Sequence, residues 1–393
     1  MEATSASSSL VNDVVEEIFM RLPVKSLFRF KSVSKQWRCM IESRSFAERH
    51  LKIAERSHVE NPQVMAIISK ERTNVNEYHL DTDLCFKTIC SESASVLSST
   101  RINFLQGFYQ YCTHVSEICD GLFCIHSPRS ESIYVVNPAK RWLRQLPPAR
   151  FQILTHMPTP HNLETAMLYH RDYLKSVSHL AFVKATDYKL VWLYNSEWFN
   201  SGPNEGLTIC EVFDFRANAW RYLTCTPSYR IYNNQRPASA NESVYWFTEP
   251  YNGEIKLVAL DIHTETFRVL AKINPVIASS DPAHIGMCAL DDGLFMWKRD
   301  PETMIEYIWR LKPSQDTWEN IYTIDFSSLN PFRNPHGPGW TVLVAVCKEK
   351  ILLNFRYGDD LMKFDPQTKS FSSIFKEYCI KCVPYFQSLI SHI

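Results

Sequence analysis

The sequence predicts a multidomain fold, α followed by all-β: a small three-helix unit, then a β-propeller of six blades, with seven as the alternative count. Three observations carry that expectation. Apolar residues recur at helical spacing up to about residue 56, after which the period falls to two. A strand, turn, aromatic, strand unit then recurs along the rest of the chain. At 393 residues the chain also exceeds what one ordinary core serves, which a ring of repeated sheets resolves.

Residues 1–9 are polar and serine-rich, and are expected to be disordered. Residues 10–56 are expected to form the helical unit with its linking helix, and 57–393 the propeller. In the first helix Val14, Ile18 and Leu22 stand at i, i+4, i+8 with Val15 and Phe19 beside them, one broad apolar stripe. Asp13 is placed to cap it and Glu16 to complete a capping box. Pro23 ends this helix and can open the next. Leu27 and Phe30 face inward on the second helix, Phe28 widens its apolar surface, and Val33 follows its end. Ser34 then caps a third helix carrying Trp37, Met40 and Ile41, and a linking helix follows at about 45–56.

Below roughly 40 residues such a unit seldom stands alone without a staple. No metal-ligand set or disulfide pair is present to supply one. Its excess apolar surface must be covered by another protein or by the rest of this chain, and each buried Leu or Ile is worth roughly 1.5–3 kcal/mol. The plainer alternative is a helical cap folded onto the β ring.

Leu10, Asp13 and Ile18, the run Arg21-Leu22-Pro23-Val24-Lys25-Ser26-Leu27, Arg29-Phe30-Lys31, Val33-Ser34-Lys35, Trp37 and Ser45-Phe46 together resemble an F-box of the large plant type. The likeness covers about 40 residues without a gap. It implies docking on a Skp-type adaptor, itself held by a cullin, with Leu10, Ile18, Leu22, Pro23, Leu27, Val33 and Trp37 as the adaptor contacts. One position departs from the family: Val11 stands where proline is usual. By analogy with other proline effects this weakens docking by about 1 kcal/mol.

The β units read as Tyr78–Asp81 with Phe86–Ile89, Tyr134–Asn137 with Trp142–Leu146, and Val212–Asp214 with Trp220–Leu223. Three more follow: Ala259–Asp261 with Phe267–Leu270, Trp309–Lys312 with Trp318–Ile321, and Lys363–Asp365 with Phe371. The turn positions Asp81, Asn137, Asp214, Asp261, Lys312 and Asp365 are 56, 77, 47, 51 and 53 residues apart. Most of these spacings suit a blade of four short strands, and the 77-residue step holds an insertion. Further strands precede most units, at 64–69, 121–126, 190–194, 244–248, 294–298 and 350–355. The Asp or Asn bonds its own turn, the following aromatic wedges between blades, and closure of the ring removes exposed sheet edges. A β-sandwich or two is the alternative.

Cys119–Cys124, Asn137-Pro138 and Asp187–Val191 are landmarks by which this region resembles the F-box-associated propeller, a relative of kelch proteins. Strict kelch repeats carry a Gly-Gly pair in every blade, and this chain has none.

Apolar residues at 45% and aromatics at 13% support a folded chain. Lys+Arg and Asp+Glu are both 42, which argues against a nucleic-acid partner. The start lacks the pattern of a secretory signal, and apolar runs such as Val342–Cys347 are too short to span a bilayer. No membrane association is expected, the location is cytoplasmic or nuclear, and the cysteines are reduced. No catalytic constellation emerges. His156 and His161 lie in a Pro-containing stretch and read as loop histidines, Cys379 and Cys382 as buried thiols, and no cofactor or metal is expected.

Insertions at Pro147–Ser178, Asn195–Gly206, Pro227–Ala240 and Ser327–Trp340 supply candidate target contacts: Trp198, Phe199, Tyr229, Arg230, Tyr232, Arg236, Phe332, Arg333 and Trp340. The resemblance then implies a substrate-recognition subunit of a Skp–cullin–F-box ubiquitin ligase, not itself catalytic, binding an unidentified protein target. An interaction scaffold working outside a cullin complex is the runner-up, and a propeller enzyme the third reading.

Overall fold

A computed structural model describes residues 13–60, 62–71, 82–102, 113–127, 130–156, 178–196, 208–233, 235–270, 273–290, 293–312, 317–329, 341–347, 350–355, 360–377 and 379–391. Helix α1 covers residues 13–20, and α2 (Val24–Phe30), α3 (Lys35–Glu42) and α4 (Arg44–Glu60) follow. Phe19, Met20, Val24, Leu27 and Ile41 are buried between them. The rings of Phe30 and Trp37 each lie 5.0 Å from that of Phe19. Pro23 is the N-cap residue of α2, where its missing N–H costs no bond. Two local expectations are corrected. Ser34 occupies the N-cap of α3 in extended conformation but its side chain makes no capping bond. Glu16 does not complete a capping box but pairs with Arg49 of α4, and so ties the first helix to the fourth.

The first blade contains β1 (Gln63–Glu71), β2 (Thr82–Cys90) and β3 (Val96–Ile102). The second holds β4 (His114–Val115), β5 (Phe123–Ser127), β6 (Ser130–Asn137) and β7 (Trp142–Leu146). The third holds β8 (Ala181–Lys184), β9 (Tyr188–Asn195), β10 (Thr208–Asp214) and β11 (Ala219–Tyr222). The fourth holds β12 (Ala238–Ala240), β13 (Ser243–Phe247), β14 (Leu257–Asp261) and β15 (Thr266–Val269). The fifth holds β16 (Ile285–Leu290), β17 (Gly293–Arg299), β18 (Ile305–Lys312) and β19 (Thr317–Asp325). The sixth holds β20 (Thr341–Cys347), β21 (Lys350–Phe355), β22 (Asp360–Asp365) and β23 (Ser370–Lys376). Finally β24 (Lys381–Pro384) returns to the first blade as its innermost strand, antiparallel to β1 with Val64 opposite Pro384. Six four-stranded sheets, closed by a strand from the far end of the chain, make a six-bladed propeller.

Turns between third and fourth strands repeat one solution. Asp214 Oδ1 accepts from the N–H groups of Arg216 (2.8 Å) and Ala217 (3.1 Å), and Asp261 Oδ1 from those of His263 (3.0 Å) and Thr264 (2.8 Å). Asn137 and Asp365 act alike. Four residues after each stands a left-handed residue that is not glycine: Arg141, Asn218, Glu265 and Lys369, at φ of 52, 52, 55 and 54°. The aromatic opening the outer strand joins neighbouring blades. Trp220 Nε1 donates to Pro147 O (2.8 Å) on the approach from blade two, and Phe371 packs 5.5 Å from Phe326 of blade five.

The first repeat is corrected. Residues 78–81 lie outside the described residues, and Phe86–Ile89 belongs to the third strand of its blade, not the fourth. The true turn runs from Cys90 to Ser95, where neither an Asp nor an aromatic marks it.

Antiparallel pairing throughout fixes which connections share a face. Links between blades, and between second and third strands, leave from one face; first-to-second and third-to-fourth turns lie on the other. All four insertions connect strand ends on the former, the insertion face.

Candidate adaptor and target surfaces

The helical module divides its apolar side chains between two directions. Phe46, Ala47 and Leu51 of α4 belong to the same buried cluster as Phe19, Val24 and Leu27, and that cluster continues into blades two and three through Leu122, Leu146, Phe182 and Trp192. The module is therefore seated on the ring. It nonetheless leaves Val14 59%, Ile18 53%, Val33 64% and Phe28 37% exposed. Of the expected adaptor contacts, Ile18, Pro23 and Val33 are exposed, and Leu22 and Trp37 half-buried. Leu27 has no exposed surface and serves the module's own core. Leu10 lies outside the described residues.

The three propeller landmarks meet where the module sits. Cys119-Asp120-Gly121-Leu122 is a tight hairpin turn with φ of 53° at Asp120 and 74° at Gly121, which suits Asp-Gly. Asp120 Oδ2 accepts from Lys184 Nζ and from Tyr188 Oη, each at 2.5 Å, which links blade two to blade three. Burial works against the Lys184 charge, yet its hydrogen bond to Asp120 holds its pKa above the ordinary value. Burial, and then the Asp120 charge, push the Tyr188 phenol up. These turns, with Lys140 beside Asn137-Pro138, lie on the face opposite the insertions. His58 of α4 packs 5.6 Å from Phe386, which follows β24 on that same face.

On the insertion face, the expected target residues fall into separate places. Arg230 makes a two-pronged bond to Glu249 (2.6 and 3.1 Å). Tyr229 carries Lys256 over its ring at 4.9 Å and meets Tyr251 edge-on at 5.7 Å. Tyr251, 57% exposed, was not among the sequence candidates; it opens the Asn252-Gly253 turn between β13 and β14, and that dipeptide was the available signal. Tyr232 is half-buried, its backbone N–H bonded to Phe247 O (2.8 Å). Arg236 lines the ring's axis instead. Trp198, Phe199, Phe332, Arg333 and Trp340 lie outside the described residues.

Along that axis runs a cavity of about 1060 Å³, with Glu55 and His58 of α4 among its lining residues. Glu117 of blade two crosses it, accepting from Ser239 N–H of blade four (3.0 Å). Lys381 of β24 donates to Val115 O (2.9 Å) and Ser116 O (2.8 Å) of blade two. Burial pushes the Glu117 carboxyl up and the Lys381 ammonium down, and each partly restores the other. The Glu117 bond braces the ring across its centre, and the Lys381 bonds tie blade one to its neighbour.

Cys379 and Cys382 are buried and free. Among the described residues no group of three or more His, Cys, Asp or Glu could hold a metal, and no helix is long and apolar enough to cross a membrane.

The class these parts define is a small helical module mounted on a six-bladed propeller. The F-box domain family matches residues 7–49, and the F-box associated beta propeller domain family matches residues 68–391. The chain belongs to the F-box proteins that carry this propeller. It is 60% identical to the putative F-box protein At1g12855 of Arabidopsis thaliana, over 99% of this chain and 86% of that protein. It is also 57% identical to the putative F-box/kelch-repeat protein At1g13200 of the same plant, over 98% of this chain and 91% of the other.

Proposed function

We propose that this chain is the substrate-recognition subunit of a Skp–cullin–F-box ubiquitin ligase. The F-box docks on a Skp-type adaptor and the insertion face binds a protein target. The observation that carries the reading is the uncovered apolar edge of the F-box. Val14 and Ile18 stand one turn apart on α1 and face solvent, as do Phe28 and Val33, although the module already has a core and a seat on the ring. A partner covering Ile18 and Val33 gains roughly 1–2 kcal/mol from each, since about half of each residue's surface is left to bury.

The mechanism is proximity. Holding a target on one face and the cullin assembly on the other raises the concentration of target lysines near a ubiquitin-conjugating enzyme, which supplies the reactive thioester. No reactive group of this chain takes part. Its cytoplasmic or nuclear location follows from that role. Val11, in place of the family's proline, favours the second reading, a scaffold acting outside a cullin complex.

Co-purification separates the two. The adaptor and cullin are expected to be captured together with the wild-type chain, and the double variant Ile18→Asp, Val33→Asp to lose both by about 100-fold. Its propeller should melt unchanged. Charged substitution of Leu27 is uninformative, because it unfolds the module core. Adaptor capture without cullin supports the scaffold, and capture that survives both substitutions ends the docking assignment.

A further inference from the structure

Ring closure is complete at Pro384, yet the chain continues across the face that carries the F-box. Asn137, fully buried, donates both amide hydrogens to this continuation, at Ser388 O (3.0 Å) and Ile390 O (2.8 Å). Its Oδ1 meanwhile accepts from Lys140 N–H (3.2 Å) within its own turn. Lys140 Nζ donates to Leu389 O (3.0 Å) and to the Ser391 hydroxyl. The continuation passes so close over the Asp120-Gly121 turn that a Cβ on Gly121 would stand 2.7 Å from Ser388 Cβ and 2.8 Å from Phe386 O. Its other side meets the module: Phe386 packs on His58, and Leu389 and Ile390 share a buried cluster with Phe46, Ala47 and Leu51 of α4.

We propose that residues 386–391 are a splint that sets the angle of the F-box on the propeller, and that Asn137 and Gly121 are positioning residues for it. The ring does not need these contacts to close, since β24 pairs with β1 and Tyr385 N–H bonds Gln63 O (2.9 Å) before the splint begins. The segment is held by blade two on one side and grips α4 on the other. Its consequence rests on the ligase reading: a fixed angle keeps the target at a set reach from the conjugating enzyme, whereas a loose joint dilutes it over many positions.

Asn137→Asp isolates the role. The carboxylate keeps the acceptor for Lys140 N–H but has no hydrogens for the two carbonyls, and it repels them. Gly121→Ala dislodges the same segment from the turn side, and carries the test should the first variant fail to fold. The full chain is spin-labelled by non-cysteine chemistry at Lys35 on α3 and Tyr251 on the insertion face, and electron–electron distances are measured beside amide hydrogen exchange. The wild type should show one narrow distance distribution. In either variant the distribution should broaden, and exchange over 386–391 should rise about tenfold or more, while β1 and β24 stay protected. A distribution that stays narrow while 386–391 exchanges freely overturns the proposal, as does exchange that does not rise in either variant. Neither readout needs the adaptor, so failure of adaptor binding sinks the ligase reading and leaves the splint to be judged separately.

Discussion

The imidazole of His126 lies stacked 5.1 Å from that of His114, with Trp192 at its edge 4.9 Å away, and burial pushes its pKa down to about 3. In the unfolded chain an ordinary histidine titrates near 6.5. Between those values the unfolded chain takes up a proton that the folded chain refuses, so stability falls as pH drops through this window. The loss from this group is about 1.4 kcal/mol per pH unit. His50, lowered by burial, acts in the same direction. Replacing His126 with Phe should flatten the slope of melting temperature between pH 6.5 and 4.5, and an unchanged slope would show that His126 protonates in place. Glu211 makes a second residue-scale case. This buried carboxylate accepts from Arg150 N–H (2.8 Å), Phe151 N–H (2.8 Å) and Tyr194 Oη (2.5 Å), and so anchors the start of the Pro147–Ser178 insertion. Glu211→Ala strands three donors and should cost about 3 kcal/mol in urea unfolding. A cost near zero would mean that the insertion is not held there.

Among the elements, the repeated turn carries its own strain test. Lys369 is exposed at φ 54°, a conformation that a β-branched residue resists. Lys369→Val should lower stability by about 1–2 kcal/mol while Lys369→Gly changes it little, as read from denaturant midpoints. These turns were legible in the sequence because Asn137, Asp214, Asp261 and Asp365 each precede an aromatic that must reach the next blade. The turn after Cys90 has neither mark, so nothing in the sequence sets the register of the first blade. The innermost strands are not legible either: His114–Val115, Ala238–Ala240 and β24, of two to four residues, are too short to show a period. On the F-box, spacing identified the apolar positions but could not sort them. Leu27 is expected to face inward and also to meet the adaptor, and the packed module leaves it only the first role, while Ile18 stays exposed.

The whole molecule is a ring with a module fixed to one face, and the strand ends that its long insertions connect lie on the other. Closure by β24 makes the six blades one cooperative unit, because it pairs the inner edge of β1 that would otherwise be open. Ending the chain before Lys381 should therefore replace a single melting transition with a broad one and promote aggregation; an unchanged sharp transition would show that the ring holds without its last strand. The two-sided arrangement itself is tested most directly by amide hydrogen exchange on the intact chain, with and without a purified Skp-type adaptor. Protection is expected over residues 13–20 and 31–35 of the F-box, with β12 to β15 of blade four unaffected. Protection confined to the insertion face, or none anywhere at saturating adaptor, would contradict the account.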